Sequence, residues 1–578
     1  MVGLAFRDVP GVTPISKYWE KLNWRLLVSL ALPVMLETLD YTVVASAQPH
    51  IASIFDAVNL QSFIGTSYLL SSAAFLPFFV SVANVYGRHL ALQFSLFFFL
   101  AGSVVSTGAI NMPMILAGRG IAGIGAAGLL TIVRTIISDS ASPDGSNPQQ
   151  SILYILYAVA FGIGPVVGSV IVNLNFRWVF VINLPTTALA MLLCYFFLRS
   201  QVKDKGLVKP LPLPGNRSET WISKILLLDW IGPFIFFAGS LLILLGLNWG
   251  PNDHWKTARV IAYLVLGSIS IVGYLLWEYV LQRQQTQPNP HHALPSMVFR
   301  AYPMLSLELF KSYDFCVVQY HSFVCGVVMF VIFYFLDIFM IIVFALQPSQ
   351  AGFQLLFYAP GMAAGLFSAP RILKYFNQPK YLLIPGFSLI TIGFGLLIMG
   401  MQELNNVLID VAMALTGLGM GLCATPLIVQ GRQCQPGQVA LNLTTMLFFR
   451  CLGGMLGLAQ CFTIMNLKVN DYVAAAISNT SALSASDLTM LTQLFASGDL
   501  TSLKILGKLP PAVQLVIRSG FNHAIRWSFI SILPWSGVAA GLAVFLSRIQ
   551  IKFEPSVSVT SSVVEELDNA EDNERRVG

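Results

Sequence analysis

The chain has 578 residues, of which 56 % are apolar and only 10 % charged, and its formal net charge is +6. A typical soluble domain carries about 25 % charged residues, and one membrane-spanning helix needs about 20 largely apolar residues. These proportions exclude a soluble globular protein, a disordered chain and a disulfide scaffold, and leave room for a dozen or more spanning helices.

Residues 1–25 are mixed and charged, with no small-residue cleavage site before the first apolar run, and read as a cytoplasmic N-terminus rather than a signal peptide. Apolar stretches then follow at 26–47, 62–84, 90–110, 113–135, 151–173 and 180–198. A basic, Pro-containing loop and a Gln-, Pro- and His-rich loop flank two further stretches, 228–248 and 259–281. Six more lie at 315–346, 353–371, 381–401, 407–430, 438–466 and 524–547. The expectation is fourteen spanners in a six, two, six arrangement: a bundle over 26–199, cytoplasmic loops and an inserted helix pair over 200–314, and a second bundle over 315–548 with a long outer loop at 467–523. The tail 549–578 is Ser-, Val- and acid-rich and is expected to be disordered and cytoplasmic. The ninth stretch is long and contains Asp337; it is read as one spanner, because two would leave no residues for a turn.

Lys and Arg set the orientation. With the N-terminus in the cytoplasm, 23 of the 33 basic residues fall inside and eight outside (Arg177, Lys256, Arg259, Lys468, Lys504, Lys508, Arg518 and Arg526); Arg119 and Arg450 lie within helices. This bias predicts that both termini are cytoplasmic. The small positive charge is thereby explained by basic loops, not by a nucleic-acid partner. The Asn479-Thr480-Ser481 sequon falls in the outer loop and marks Asn479 as a glycosylation candidate.

No Gly-Lys pair has a P-loop context, no zinc or nucleophile motif stands in a suitable place, and the seven cysteines form no C-x-x-C pair. An ATP-driven pump, an enzyme, and a metal or other cofactor are therefore not expected.

The chemistry-bearing residues are the few charges inside the apolar stretches. Glu37 and Asp40 are three residues apart and share a helix face. From a start near Leu26 they lie about 16 and 21 Å deep. Two carboxylates there cannot both ionise cheaply; such an acid is what proton coupling requires. Arg119 needs a cavity or a carboxylate partner, with Asp40 or Glu37 the nearest. Gln48 and Arg450 are candidates for polar positions in a cavity wall. Among the seven histidines, only His50 and His321 stand within reach of a cavity.

Several segments together carry a family resemblance. LDYTVVASAQPHI (Leu39–Ile51), VSVANVYGRH (Val80–His89), GRGIAGIGAAG (Gly118–Gly128), AFGIGPVVGS (Ala160–Ser169) and NFRWVFVINLP (Asn175–Pro185) stand in matching order and spacing, followed by DWIG (Asp229–Gly232) and FFRCLGGMLG (Phe448–Gly457). Over roughly 26–548 the chain resembles the fungal-type, fourteen-spanner drug:proton antiporters of the major facilitator superfamily. The resemblance implies an all-α polytopic membrane protein with two six-helix bundles, an inserted pair, and alternating access around a midplane cavity. It implies proton-antiport export of a hydrophobic or amphiphilic small molecule, such as a drug, a toxin or a secondary metabolite including a glycolipid. It further implies proton coupling by Asp40, Glu37 and Arg119, and conformational gating by Asn84, Gly87, Arg88, Gly164, Pro165 and Gly168. The expected partners are the small-molecule substrate, protons and the lipid bilayer; the chain is expected to be monomeric and to reside in the plasma membrane, with a vacuolar or other endomembrane as the alternative. Siderophore, metabolite or basic amino acid carriers, importing or vacuolar, are the rival class, and a non-transporting sensor a second. The chain departs from the family pattern at Val80, Asn84 and Val85, where a glycine, an aspartate and an arginine are usual, and at Ala122, where a glutamine is frequent. Ser140–Gln150 lacks the usual basic pair.

Overall fold

The computed structural model describes residues 23–55, 57, 60–139, 148–202, 228–250, 255–286, 307–434, 439–478, 484–497 and 509–549. Among these residues every regular element is helical. That is the expected solution for apolar chain in a bilayer, where each backbone N–H and C=O must be satisfied within its own segment.

The first half contains α1 (Trp24–Ile54), α2 (Gln61–Tyr86), α3 (Arg88–Thr107), α4 (Met112–Asp139), α5 (Pro148–Leu174) and α6 (Trp178–Leu198). Asn23 starts α1 by accepting the Leu26 N–H at 3.3 Å. α6 is a composite of a short turn, a helix over Asn183–Leu193 and a π-helical end over Cys194–Leu198. α4 packs along α2 and α3, and α1 along α5.

The inserted pair is α7 (Ile231–Trp249) and α8 (Ala258–Thr286). Asp229 caps α7, accepting from the Ile231 and Gly232 N–H groups at 3.1 and 3.0 Å and from Trp277 Nε1 of α8 at 3.1 Å. α7 lies against both halves of the molecule. Its Asn248 donates to Ser62 of α2 at 2.7 Å, and its Leu247 carbonyl accepts from Thr463 at 3.1 Å. α8 is the outer member, with Ile261, Leu266, Ile269 and Leu276 exposed, as lipid contact requires.

The second half contains α9 (Tyr313–Ile342), α10 (Pro348–Leu355), α11 (Tyr358–Phe376), α12 (Lys380–Glu403), α13 (Asn406–Cys434), α14 (Val439–Ser478), α15 (Ala485–Ser497) and α16 (Pro511–Phe545). α13 packs along α11 and α12, and α14 along α9 and α16; α2 meets α14, and α5 meets α10 and α11, across the two halves.

Two expectations differ from the structure in detail. Among the described residues thirteen helices are long and apolar enough to cross a membrane by length and composition, against the fourteen stretches expected. The difference is the expected stretch 353–371, which is divided between α10 and α11; α11 carries Arg371 and Lys374 near its end, and they dilute its hydropathy. The expected outer loop 467–523 is largely helical, because α14 continues to Ser478, α15 fills Ala485–Ser497 and α16 begins at Pro511. The expectation that the ninth stretch is one spanner is met: α9 stays helical through Asp337, with a π-helical turn over Ile332–Leu336 immediately before it.

Candidate functional site

Two carboxylates on α1 are served by different partners. Arg119 Nη1 of α4 donates to Asp40 Oδ2 at 2.5 Å, and Asn183 Nδ2 at the start of the main α6 helix donates to Asp40 Oδ1 at 2.7 Å. Asp40 is 2 % and Arg119 1 % exposed. The guanidinium also lies 4.2 Å over the Tyr68 ring of α2, while its Nε and Nη2 make no hydrogen bond. A buried charge is tolerated only when paired. Here one ion pair, one amide hydrogen bond and one cation–π contact tie α1, α2, α4 and α6 at a single point.

Glu37 lies almost a turn earlier on α1 and faces another way. It accepts from the Tyr157 hydroxyl of α5 and, at 3.5 Å, from its neighbour Thr38. Tyr157 in turn accepts from Arg134 Nη2 of α4 at 2.9 Å, and the Arg134 guanidinium lies 5.3 Å from the Tyr157 ring centroid. Arg134, Tyr157 and Glu37 thus form a chain of charge-assisted hydrogen bonds.

Arg134 and Tyr157 reach the wall of an open cavity between the two halves. The opposite wall comes from α9, α11, α13 and α14, including Met329, Met362, Met420, Met446 and Leu447. Arg450 of α14 also lines it, with Nη2 2.9 Å from Met329 Sδ, which the Tyr41 hydroxyl approaches at 3.6 Å from α1. The lining is mostly apolar with four thioethers, surfaces that adapt to varied apolar ligands. Among the described residues no carboxylate lines it. The cavity occupies the half of the bundle toward Asp139 and Cys434. At the other end the two halves are packed shut, and every α9 residue from Ile332 to Ile342 is buried.

α5 connects the halves. A Cβ at Gly164 would stand 2.7 Å from Thr42 Cβ, and one at Gly168 2.8 Å from Val43 Cα, so both glycines let α5 seat directly on α1. Pro165 is accommodated within a continuous helix. On its other side α5 meets α10 and α11: a Cβ at Gly352 would lie 2.8 Å from Ser169 Cβ, and one at Gly162 2.9 Å from Ala359 Cβ. Asn84 and Arg88 sit on either side of the α2–α3 junction, where Gly87 has φ +88° and ψ 155°. There is open space around that Gly87 position, so glycine is required by its backbone conformation alone. Asn479 lies outside the described residues.

The structure therefore brings Asp40 together with Arg119, and Glu37 with the cavity that Arg450 lines. Gln48 is not on that wall; it is buried in the packed half, 1 % exposed. His321 is fixed within the second half, Nδ1 2.7 Å from the Val317 carbonyl and Nε2 2.9 Å from the Ala539 carbonyl. Sequence reasoning passed over Tyr157, Asn183 and Tyr68, and counted Arg134 only as an inner basic residue at the end of the fourth helix. Asn183 lies inside the quoted NFRWVFVINLP segment, and Tyr157 is eight positions before Pro165 on the same helix; neither residue type announces itself in an apolar run.

Comparison with known proteins gives a consistent picture. The Major Facilitator Superfamily profile matches residues 30–283. The chain is 26 % identical over 533 residues to the MFS-type transporter gkaD of Penicillium citrinum, covering 91 % of this chain and 84 % of that one. It is 28 % identical over 556 residues to the efflux pump dotC of Dothistroma septosporum, covering 94 % and 86 %. In fold it is similar to a bacterial homologue of the human lysosomal transporter Spinster in an inward-facing, unoccupied conformation, with a TM-score of 0.55, 13 % identity, and 95 % and 100 % of the two chains covered.

Proposed function

Because the chain belongs to the major facilitator superfamily, and is thus a multi-pass membrane transporter of small molecules, we propose that it exports a hydrophobic or amphiphilic compound in exchange for protons. The observation that carries this reading is the Arg134–Tyr157–Glu37 chain, which joins an intramembrane carboxylate to the wall of an apolar cavity. A substrate that engages Arg134 or Tyr157 withdraws hydrogen bonds from Glu37, and so changes the free energy of protonating it. Asp40 supplies the second carboxylate. Protonation there removes the counter-charge of Arg119 and loosens the point at which four helices meet, so that proton uptake and helix rearrangement are one event.

On the positive-inside orientation, the cavity half faces the cytoplasm, and loading occurs from that side. Efflux-pump names among fungal relatives support this direction; we place the protein in the plasma membrane, with a secondary metabolite, drug or toxin as its cargo. We take α11 as the remaining spanner: it packs along α13, which makes fourteen in all with both termini cytoplasmic.

Inside-out vesicles containing the full chain test the proposal. With the lumen made acid, amphiphilic fluorescent dyes or extracted metabolites are expected to accumulate inside, and a protonophore is expected to abolish accumulation. Uptake that ignores the gradient, or that requires the opposite gradient, overturns proton-antiport export and favours the importing carriers.

A further inference from the structure

Asp337 is the most isolated charge-bearing group in the described structure. It is 0 % exposed, and neither carboxylate oxygen has a hydrogen-bond partner. It lies in the packed half, directly after the π-helical turn Ile332–Leu336, a local widening that often occurs at functional positions. The Asp337–Ile342 segment packs against α1, α10 and α16.

The groups around it offer no counter-charge. Within α9 the nearest titratable residue is Tyr334, a turn away toward the Asp40–Arg119 pair. On α1 lie Asp40, which is already paired, Tyr41, which is turned to Met329, and the half-buried His50. α10 has no titratable residue. On α16, Arg518 and Arg526 are turned to Gln514 and Gln402, and His523 is exposed beside Trp527. Among the described residues no charged side chain reaches either carboxylate oxygen of Asp337 within hydrogen-bond distance.

α1 does bring one polar group to this level. Tyr41 stacks on Phe330 of α9 with centroids 5.0 Å apart. α1 and α9 run in the same direction, and seven residues further along each, two turns on, stand Gln48 and Asp337. Gln48 is also buried with neither amide atom hydrogen-bonded. Two polar side chains without hydrogen-bond partners thus stand at about the same depth on these helices, where the two halves close. A lone carboxylate cannot remain ionised there, whereas a neutral carboxylic acid can donate to an amide carbonyl.

We propose that Asp337 is a proton-operated lock on the closed end of the transport path: it takes up a proton, opposite Gln48, for that end to close, and releases the proton when the end opens to water. The proposal rests on alternating access as read above. It does not depend on the direction of substrate movement or on Asp40 carrying the coupling proton. Acid on the outer side then favours return to the closed-outside state.

Spin labels on cysteines placed at Leu174 and Val407, exposed positions at the closed end of the two halves, report the opening in the purified full-length protein; the unsubstituted chain controls for labelling of native cysteines. The short inter-label distance is expected to gain population as pH falls. Asp337→Asn is expected to hold the short distance at every pH, and Asp337→Glu to keep the pH response. Gln48→Leu is expected to move the midpoint of closing to lower pH, because the neutral acid loses its partner. Wild-type pH dependence in Asp337→Asn, or, should that variant fail to fold, an unchanged midpoint in Gln48→Leu, overturns the proposal. Asp40→Asn separates the two ideas: if coupling at Asp40 is wrong but the lock is right, this variant transports normally and the distance still responds to pH.

Discussion

Asp40 and Arg119 form a buried ion pair 2.5 Å long, and Asn183 and Tyr68 complete the set from two other helices. Removing one partner strands the other. Breaking a buried pair from one side costs about 3–5 kcal/mol, largely because a desolvated charge is left behind. Asp40→Asn is therefore expected to lower the melting temperature of the purified protein and to abolish proton-driven accumulation in inside-out vesicles while still reaching the membrane. The double variant Asp40→Asn/Arg119→Gln, which leaves no stranded charge, is expected to be less destabilised than the sum of the single variants. Undiminished gradient-driven transport by Asp40→Asn would remove this residue from coupling.

Tyr157 has one hydroxyl between Glu37 and Arg134, accepting from one and donating to the other. Tyr157→Phe keeps the ring against Phe161, 6.1 Å between centroids, and deletes only the link. Loss of a hydrogen bond to a charged group is expected to lower coupled transport by about tenfold to a hundredfold, with Glu37→Gln giving a similar loss. Since both act on one chain, the double variant should be little worse than either alone. Initial rates at several imposed gradients measure this. Independent, multiplying losses would show that the two residues do not work as a unit.

The glycines of α5 differ in what opposes them. At Gly164 an added Cβ meets the Thr42 side chain; at Gly168 it meets the Val43 backbone as well as Ser46. A side chain can be trimmed and a backbone cannot. Gly164→Ala should be rescued by Thr42→Gly, which removes the Cβ it would meet, whereas Gly168→Ala should remain destabilised by about 1–3 kcal/mol whatever stands at position 46. Gly537→Ala and Gly541→Ala, which meet nothing within 4 Å, serve as controls. Thermal melts of the detergent-solubilised protein read all five variants.

The spanning helices were legible in the sequence because their signal is bulk hydropathy, which needs no partner to be recognised. α11 is the instructive borderline case: Arg371 and Lys374 near its end dilute its hydropathy, and its place beside α13 is read from packing more than from composition. Glu37, Asp40, Arg119 and Arg450 stood out for a related reason, since a charge in an apolar run is costly enough to need a purpose. Their partners did not stand out. Tyr157 and Asn183 are ordinary residues until the fold brings them across 120 and 143 positions to Glu37 and Asp40. Gln48, equally conspicuous in sequence, was expected on the cavity wall; helix register instead puts it two turns beyond the Tyr41–Phe330 contact, in the packed half.

Arg450 tests what the cavity recognises. Its guanidinium stands on an apolar wall with Met329 Sδ as its hydrogen-bond partner, a weak acceptor that a substrate oxygen would readily replace. A hydrogen bond to a charged donor contributes about 1.5–3 kcal/mol, which is roughly tenfold to a hundredfold in affinity. Arg450→Met keeps the length and apolar stem and removes the donors. Substrates bearing a carbonyl or hydroxyl acceptor are expected to show an apparent KM raised by that factor with little change in maximal rate. Dyes with no such acceptor should be unaffected. Equal losses for both groups of compounds would mean that Arg450 acts through Glu37 and Tyr41, whose charges and hydroxyls it faces, rather than on the substrate itself.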